Sequence, residues 1–457
     1  MNPAPVSATL SPAANAGASG DDAAIEAAAL RKITWRIMPF LFLVYVLSYL
    51  DRVNIGYAKL QFTGDLGLSN TAYGLGAGIF FFGYFVFEVP SNLLLKRFGA
   101  RATIARITML WGALSCVMMF VRSETMFYVL RFLLGVAEAG LVPGVVLYLT
   151  FWFPSDRRAR MVAVFMAAIP VAGIIGAPLS GFLMSALHEA HGLRGWQWIF
   201  LLEGIPSILA GFWALAVLRN TPAHAAWLSD DEKRVVLTRL ARENTAAASA
   251  GAEHSLRVAL RSGRFWLLTL IYFCLVTGNA GFSFWLPQIV KDLGVTNLVT
   301  NGFVTAIPYL AAGIGMILIG RSSDITGERR WHYAVCCFIG AAGLLGSASV
   351  TNSIPLAVTG LSIAYIGILA GFGIFWSMST TFLQGSAAVA GIAVINSIAN
   401  LAGYVSPYVL GIVKDATHSV TFGLVLIAGA LIVGGLVTLM MPRVKVQHAA
   451  AVTPRSA

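Results

Sequence analysis

Two long apolar segments of this sequence carry charged side chains at positions that a membrane-spanning helix would bury. Asp51 and Arg52 stand side by side in the segment 41–57. Arg131 and Glu138 stand seven residues apart in a second segment, so they share one face of a helix. A charge at the centre of a spanning helix costs about 2.5–3.5 kcal/mol on insertion scales, and such residues usually face a polar cavity and act there. In such a cavity carboxyl groups could carry protons, and a guanidinium could bind a carboxylate through two hydrogen bonds.

The elements that must position these side chains are helices long enough to cross a bilayer. The chain has 457 residues, of which 58% are hydrophobic and 11% are charged, whereas soluble domains carry about 25% charged residues. Long apolar stretches between short polar loops indicate helices and not a barrel, whose strands need only about ten residues. The sequence therefore predicts an all-α membrane protein with twelve transmembrane helices in two six-helix bundles. The predicted spans are 37–57, 72–95, 101–121, 126–150, 160–186, 196–218, 265–290, 300–320, 332–350, 356–380, 387–412 and 419–441.

The net charge of +11 suggests nucleic acid or anionic lipid as a partner, and the distribution of the charge along the chain decides between them. With the N-terminus inside, 24 of the 31 Lys and Arg residues fall in inner segments and 5 fall in outer loops. This asymmetry is the positive-inside rule of multi-pass membrane proteins. We therefore expect a lipid bilayer as the surroundings, both termini in the cytoplasm and no nucleic-acid partner.

One long polar loop divides the chain into two halves. It contains a capping-box pattern from Ser229 to Glu232, which predicts a short surface helix that ends near Arg242. The segment before the first span is rich in Ala, Ser and Pro and lacks a signal-peptide pattern. The predicted organisation is a disordered cytoplasmic tail, an N-terminal bundle, a linker, a C-terminal bundle and a second cytoplasmic tail, at 1–30, 31–218, 219–264, 265–441 and 442–457.

The sequence gives no sign of a nucleotide or metal site. It has no Gly-rich phosphate loop, no Walker-type Lys and no cluster with metal-ligand spacing. The four cysteines fall in apolar segments and fit small core residues. We therefore expect no ATP, no metal ion and no other cofactor, and the proton gradient is the expected driving force.

Helical rise places the intramembrane charges near the middle of the bilayer. Asp51 lies about 21 Å from the inner face, Arg131 about 25 Å and Glu138 about 15 Å, at 1.5 Å per residue. We expect one acid–base cluster, with Asp51 and Glu138 as proton carriers and Arg52 as the anchor for a substrate carboxylate. Arg131 could bind substrate or serve mainly as partner to Asp51 or Glu138, and the second role is favoured. The alternative is that the four charges only hold helices together.

Other polar side chains at similar depth could complete a binding site. Tyr45 shares a helix face with Arg52, and Asn396 and Asn400 form a polar stripe on a helix of small residues. Asn in such a helix also joins neighbouring helices, and the sequence leaves both roles open. Glu88 could be a third proton site, although a hydrogen-bonding role in an inner gate is favoured. The expected substrate-binding residues are Arg52, Tyr45, Tyr84, Asn396, Asn400, Tyr309, Asn279 and Trp376, of which Trp376 could instead fill the aromatic core.

Several motifs in register resemble the major facilitator superfamily of transporters. The stretch 320–330 has the pattern G-x-x-x-D-x-x-G-x-R-R of its inner loop, and 131–135 has the pattern R-x-x-x-G of its fourth helix. In the first-half copy of the inner loop, Lys96 stands where the family usually has Asp. Four longer stretches are similar to the anion:cation symporter family, notably its bacterial tartrate-, phthalate- and sugar-acid-type members, at 49–55, 90–101, 284–291 and 396–408.

The resemblance implies a carrier that works by alternating access, with proton carriers at Asp51 and Glu138. It also implies a set of gating residues in and near the inner loops, namely Glu88, Arg97, Arg101, Asp324, Arg329 and Arg330. Such folds usually act alone, so we expect a monomer.

The expected function is that of a secondary transporter and not of an enzyme. It imports a small organic anion with protons across the bacterial inner membrane, and a tartrate-like hydroxy-dicarboxylate or a sugar acid is the leading substrate class. Three alternatives stay open: a symporter of aromatic carboxylates, an organic-anion or drug antiporter, and a sensor that binds the anion without moving it. The stretch 173–181, which faintly resembles the antiporter motif of the superfamily, keeps the second one open.

Overall fold

The structure is a computed structural model that describes residues 20–249, 260–350, 353–382 and 386–442. Regular structure in these residues is helical. The helices are α1 Gly20–Asp65, α2 Asn70–Phe98, α3 Ala100–Val117, α4 Glu124–Glu138, α5 Leu141–Thr150, α6 Ser155–Met166, α7 Ala168–Ala186, α8 Gly195–Val217, α9 Asp230–Ser249, α10 Gly263–Asp292, α11 Leu298–Thr326, α12 Arg330–Ser349, α13 Ile354–Phe382, α14 Ser386–Thr417 and α15 Thr421–Met440.

Eleven segments of the described residues are long and apolar enough to cross a membrane. Two of them are composite, because α4 and α5 form the fourth span and α6 and α7 form the fifth. Helix α14 has 32 residues, which corresponds to about 48 Å, and packs along α2 and α10. When α14 is counted with the eleven, six spans of the described residues precede α9 and six follow it, in agreement with the predicted twelve-helix fold of a multi-pass membrane protein.

The fourth predicted span, 126–150, is not one continuous helix. Helix α4 ends at Glu138, and Gly140 follows with φ 86° before α5 begins. Glycine adopts this left-handed conformation without steric cost, and a Cβ on Gly140 would lie 2.6 Å from Ser91 Oγ of α2. The break places Glu138 at a helix end. The fifth predicted span, 160–186, is likewise divided where α6 gives way to α7.

The first helix begins earlier than the sequence predicted. Residues 20–30, which we expected to be disordered, belong to α1, whereas 1–19 lie outside the described residues. The reason is contact between distant parts of the chain, because Asp22 and Glu26 of α1 lie 3.5 Å from Arg234 and 3.7 Å from Arg239 of α9. The second predicted tail lies outside the described residues from 443 onward.

Helix α9 shows the predicted capping box and extends beyond the predicted end near Arg242. The backbone N–H of Ser229 donates to Glu232 Oε2 at 2.9 Å, and the backbone N–H of Glu232 donates to Ser229 Oγ at 3.3 Å. Arg239 of α9 lies 3.7 Å from Glu26 of α1 and 3.6 Å from Asp156 of α6. These ion pairs attach α9 to the first half of the molecule.

The two halves, α1–α8 and α10–α15, meet through the pairs α2–α14, α7–α11 and α1–α10. We call the end of the bundle that carries α9 the linker end, and the opposite end the distal end. At the distal end Asp415 of α14 accepts hydrogen bonds of 2.6–3.1 Å from Asn70 and Thr71 of α2. A Cβ on Gly181 of α7 would lie 2.4 Å from the carbonyl oxygen of Leu298 of α11. The seam between the halves is therefore tightly packed at the distal end.

Candidate substrate and proton site

An ion pair between α1 and the end of α4 lies at the centre of the candidate site. Arg52 Nη2 donates to Glu138 Oε1, and Ser48 Oγ donates to the same oxygen at 2.8 Å. Ser48 precedes Arg52 by four residues, so both side chains leave α1 on one face. The side chain of Glu138 is 2% exposed, whereas that of Arg52 is 16% exposed. Within the described residues the buried Arg52 Nε has no hydrogen-bond partner, so the protein leaves the donors of this guanidinium incompletely satisfied.

Aromatic rings surround the guanidinium of Arg52. Its Cζ lies 5.2 Å from the ring centroid of Phe80, 5.8 Å from Phe81, 5.9 Å from Tyr49 and 6.0 Å from Tyr84. At these distances the ring faces attract the cation. They also replace part of its hydration shell, which makes each remaining hydrogen bond to Arg52 electrostatically stronger.

A cluster of hydroxyl groups continues this site into the second half. Tyr49 of α1 lies 3.4 Å from Ser283 Oγ of α10 and 3.5 Å from the hydroxyl of Tyr365 of α13. Ser283 and Tyr365 are 3.2 Å apart, and the Tyr365 hydroxyl donates to Asn279 Oδ1 at 3.3 Å. The ring of Tyr309 stands edge-on to that of Tyr365, with centroids 4.9 Å apart. We call Tyr49, Ser283, Tyr365 and Asn279 the hydroxyl cluster.

Asp51 does not join this site, and the expected single cluster of four charges is wrong on this point. Its carboxylate accepts hydrogen bonds from the indole of Trp111 at 2.8 Å and from the hydroxyls of Ser115 and Ser207 at 2.8 and 2.9 Å. These donors belong to α3 and α8, so Asp51 faces the interior of the first half and is 2% exposed. Consecutive residues of a helix differ in direction by about 100°, which is why Asp51 turns away from Arg52.

Arg131 also has other partners than the sequence suggested. Its guanidinium donates to the backbone carbonyls of Gly76 and Ala77 of α2 at 3.3 and 3.1 Å and is fully buried. The ring of Phe80 lies beneath it, 5.1 Å from Cζ, and the same ring contacts Arg52. Among the described residues the expected pairing of Arg131 with Asp51 or Glu138 is not found, and Arg131 joins α4 to α2.

Glu88 connects the two halves nearer the linker end. Its carboxylate accepts hydrogen bonds from Asn396 Nδ2 at 3.1 Å and Ser397 Oγ at 2.8 Å of α14. This contact matches the favoured gate geometry, and the role itself stays a prediction. Asn400 is half-buried one turn beyond Asn396.

The remaining predicted binding residues contact other aromatic rings. Tyr45 stacks on Phe165 of α6, with centroids 4.3 Å apart. Trp376 stands edge-on to Tyr272 at 4.9 Å, while the ring of Phe375 stacks on Tyr272 at 4.4 Å. This packing agrees with the aromatic-core alternative for Trp376, which is nevertheless half-buried and keeps an accessible part.

The predicted gating arginines make their contacts within their own half. Arg101, at the start of α3, donates to the carbonyl of Leu215 near the end of α8. Arg330, at the start of α12, donates in the same way to the carbonyl of Leu439 near the end of α15. Both neutralise the negative end of a helix and repeat one arrangement in the two halves. At the linker end Asp324 pairs with Arg329 at 2.6 Å, and Arg97 is exposed.

Comparison with known proteins agrees with this geometry. A sequence profile of the Major Facilitator Superfamily matches residues 41–411. The "Putative tartrate transporter" of Agrobacterium vitis is 47% identical over 419 residues, which is 92% of each chain. The "Putative metabolite transport protein NicT" of Pseudomonas putida is 45% identical and covers 90% of this chain and 94% of that protein. The partially occluded inward open structure of the xylose transporter XylE from E. coli, at 14% identity, covers 90% of this chain and 99% of that one with a TM-score of 0.72, so the fold is shared. The chain therefore belongs to the major facilitator superfamily of membrane transporters.

Proposed function

We propose that this transporter is a proton-coupled symporter that imports a tartrate-like hydroxy-dicarboxylate or a sugar acid by alternating access. The observation that carries the proposal is the state of Arg52. It is a partly exposed guanidinium with one acidic partner, a buried Nε that no described residue satisfies, and a ring of aromatic faces. A planar guanidinium of this kind matches a carboxylate through two hydrogen bonds.

Coupling to protons follows from competition for Arg52. A substrate carboxylate that binds the guanidinium takes the place of Glu138, which then lies beside a second anion in a buried site. Two carboxylates in one site cannot both stay ionised at low cost, so Glu138 takes up a proton. Release of the substrate restores the ion pair, and the proton leaves. Each anion is thus accompanied by at least one proton.

The hydroxyl cluster supports a substrate that is polar at its second end. Tyr49 stands between Arg52 and the groups of the second half, which offer both donors and acceptors to hydroxyl or carboxylate oxygens. An apolar substrate would leave these hydroxyl groups without hydrogen-bond partners, and the site would therefore disfavour it. The 47% identical relative named as a putative tartrate transporter supports the same substrate class.

The positive-inside distribution supports an orientation with the linker end and both termini in the cytoplasm. The relatives at 47% and 45% identity are bacterial proteins, which supports the inner membrane as the location. In this orientation the packed distal end corresponds to a state closed toward the outside. We expect the transporter to act as a monomer.

Uptake of labelled tartrate into proteoliposomes with acid outside tests this function. We expect inward accumulation that Arg52→Gln abolishes and that Arg52→Lys, which keeps the charge and loses the fork, reduces strongly. Outward-directed exchange would indicate the antiporter, and binding without flux would indicate the sensor.

Benzoate in place of tartrate tests the second candidate, an aromatic carboxylate symporter, which the partly accessible ring of Trp376 favours.

A further inference from the structure

A buried lysine stands in the closed distal seam and takes no part in the site described above. Lys59 lies near the distal end of α1 and is 3% exposed. Its Nζ donates to Asn70 Oδ1 at 2.8 Å and Gln288 Oε1 at 3.2 Å. In the described part of the chain no carboxylate oxygen lies within 4.0 Å of Nζ. The ammonium group is therefore enclosed by neutral acceptors.

Two aromatic rings complete the enclosure. Nζ lies 4.6 Å from the ring centroid of Trp285 and 5.1 Å from that of Tyr73. We call Asn70, Tyr73, Trp285 and Gln288 the lysine cage. Asn70 and Tyr73 belong to α2 in the first half, whereas Trp285 and Gln288 belong to α10 in the second. The cage thus exists only while the halves are together at the distal end.

The charges around the cage leave an excess of positive charge. Asp292 of α10 pairs with Lys414 of α14 at 2.6 Å, and Asp415 accepts hydrogen bonds from the N-terminus of α2. Lys291 donates to the carbonyl of Leu60 at 3.3 Å. Three lysines therefore face two aspartates at this mouth, and both aspartates have partners other than Lys59.

A neutral polar side chain would join the halves at a lower desolvation cost than an ammonium does. A lysine is explained by the state that is open at the distal end. In that state the halves separate there, and Trp285 and Gln288 leave with the second half. Water and external anions then reach Nζ. We propose that Lys59 is an anion-binding subsite of the open distal mouth, which receives the carboxylate substrate before it reaches Arg52 and which the cage covers once the mouth closes.

Because the cage covers Lys59 in the closed state, the lysine affects anions that enter at the distal end and not anions that leave at the linker end. In the closed state the amide oxygens and ring faces satisfy Lys59, so the positive charge does not hold back an anion that leaves at the linker end. Lys59 should therefore affect capture from the distal side and not release at the other side. This inference rests on the proposed function for its substrate, but its electrostatic part can be measured without any substrate.

The electrostatic measurement uses a reporter thiol beside Lys59. In Asn70→Cys, whose thiol stays in the first half with Lys59 when the mouth opens, the rates of modification by an anionic and by a cationic methanethiosulfonate reagent added from the distal side are compared, with Lys59, Lys59→Gln or Lys59→Arg. We expect Lys59→Gln to slow the anionic reagent and speed the cationic one by about threefold each, the effect of one charge about 7 Å away in water. Lys59→Arg should keep the preference for the anion. Equal preferences in the Lys and Gln proteins overturn the inference.

The transport measurement then compares the two directions. In the otherwise unaltered protein we expect Lys59→Gln to raise the KM for tartrate uptake from the distal side by about threefold. The KM for efflux from the linker side should not change, and Lys59→Arg should restore the uptake KM. Equal changes in both directions mean that Lys59 only holds the halves together and overturn the inference. Absence of tartrate flux in the unaltered protein, with the reagent preference intact, instead contradicts the proposed substrate.

Discussion

Replacing Asp51 with alanine should destabilise the protein much more than replacing it with asparagine. The carboxylate accepts three hydrogen bonds of 2.8–2.9 Å inside the first half. Hydrogen bonds to a charged group contribute about 1.5–3 kcal/mol each, and a buried donor left without an acceptor costs about 1–3 kcal/mol. The indole N–H of Trp111 can only donate, so alanine leaves it unsatisfied. We expect a loss of about 3–5 kcal/mol, as for other buried charged partners that are removed.

Asparagine can keep most of these contacts. Its amide oxygen can occupy the Oδ2 position and accept from Trp111 and Ser207, while the hydroxyl of Ser115 rotates to accept from the amide nitrogen. Only the charge is lost, so Asp51→Asn should cost about 1–2 kcal/mol.

The assay is thermal unfolding of the purified variants in one detergent, with Trp111→Phe as the matched partner. We expect Asp51→Ala to melt well below Asp51→Asn. Adding Trp111→Phe should recover part of the loss in the alanine protein, because the unsatisfied donor is then absent. Equal melting temperatures of the alanine and asparagine proteins would refute the assignment of Asp51 to this hydrogen-bonded seam.

Three further predictions concern packing and surface charge. Gly135→Ala should abolish stable expression, because a Cβ there would lie 1.9 Å from the carbonyl oxygen of Phe80; a monodisperse size-exclusion peak would contradict this. Arg131→Lys should lower the melting temperature, since an ammonium cannot reproduce the two fixed guanidinium bonds to α2; equal stability would argue against them. The hydrogen bond from Lys32 holds the pKa of Glu232 below its ordinary value of 4.5, so this contribution to α9 docking is present above that pH and is lost as the pH falls further. After correction for the intrinsic exchange rate at each pH, the protection of the α9 amides should fall on acidification, and less so in Glu232→Gln; unchanged protection would contradict this.

The sequence placed Arg52 and Glu138 in one site but not as a pair, because it favoured Arg131 as the partner of Glu138 or Asp51. Arg52 and Glu138 could be predicted because their insertion into a membrane is costly and their depths agree. The hydroxyl cluster was only partly predicted, although Asn279 and Ser283 stand four residues apart on one helix and point to a common face. Tyr365 gave no signal of its own, since a tyrosine in an apolar span fits packing equally well.

The errors have simple physical causes. Asp51 was grouped with Arg52 because the two are adjacent in sequence, yet helical geometry turns neighbouring side chains in different directions. The partners of Arg131 are backbone carbonyls, which no side-chain pattern reveals. Residues 20–30 are helical because their acidic side chains meet basic residues of α9 more than 200 positions away, and composition alone does not report such contacts.

Glu138→Gln in proteoliposomes tests the proposed role of the Arg52–Glu138 pair most directly. The surface variant Glu124→Gln on the same helix is the matched control. We expect Glu138→Gln to exchange labelled for unlabelled tartrate at the rate of the unaltered protein but to lose accumulation against a gradient when the outside is acidic. Proton-driven accumulation at the unaltered level would contradict the coupling mechanism.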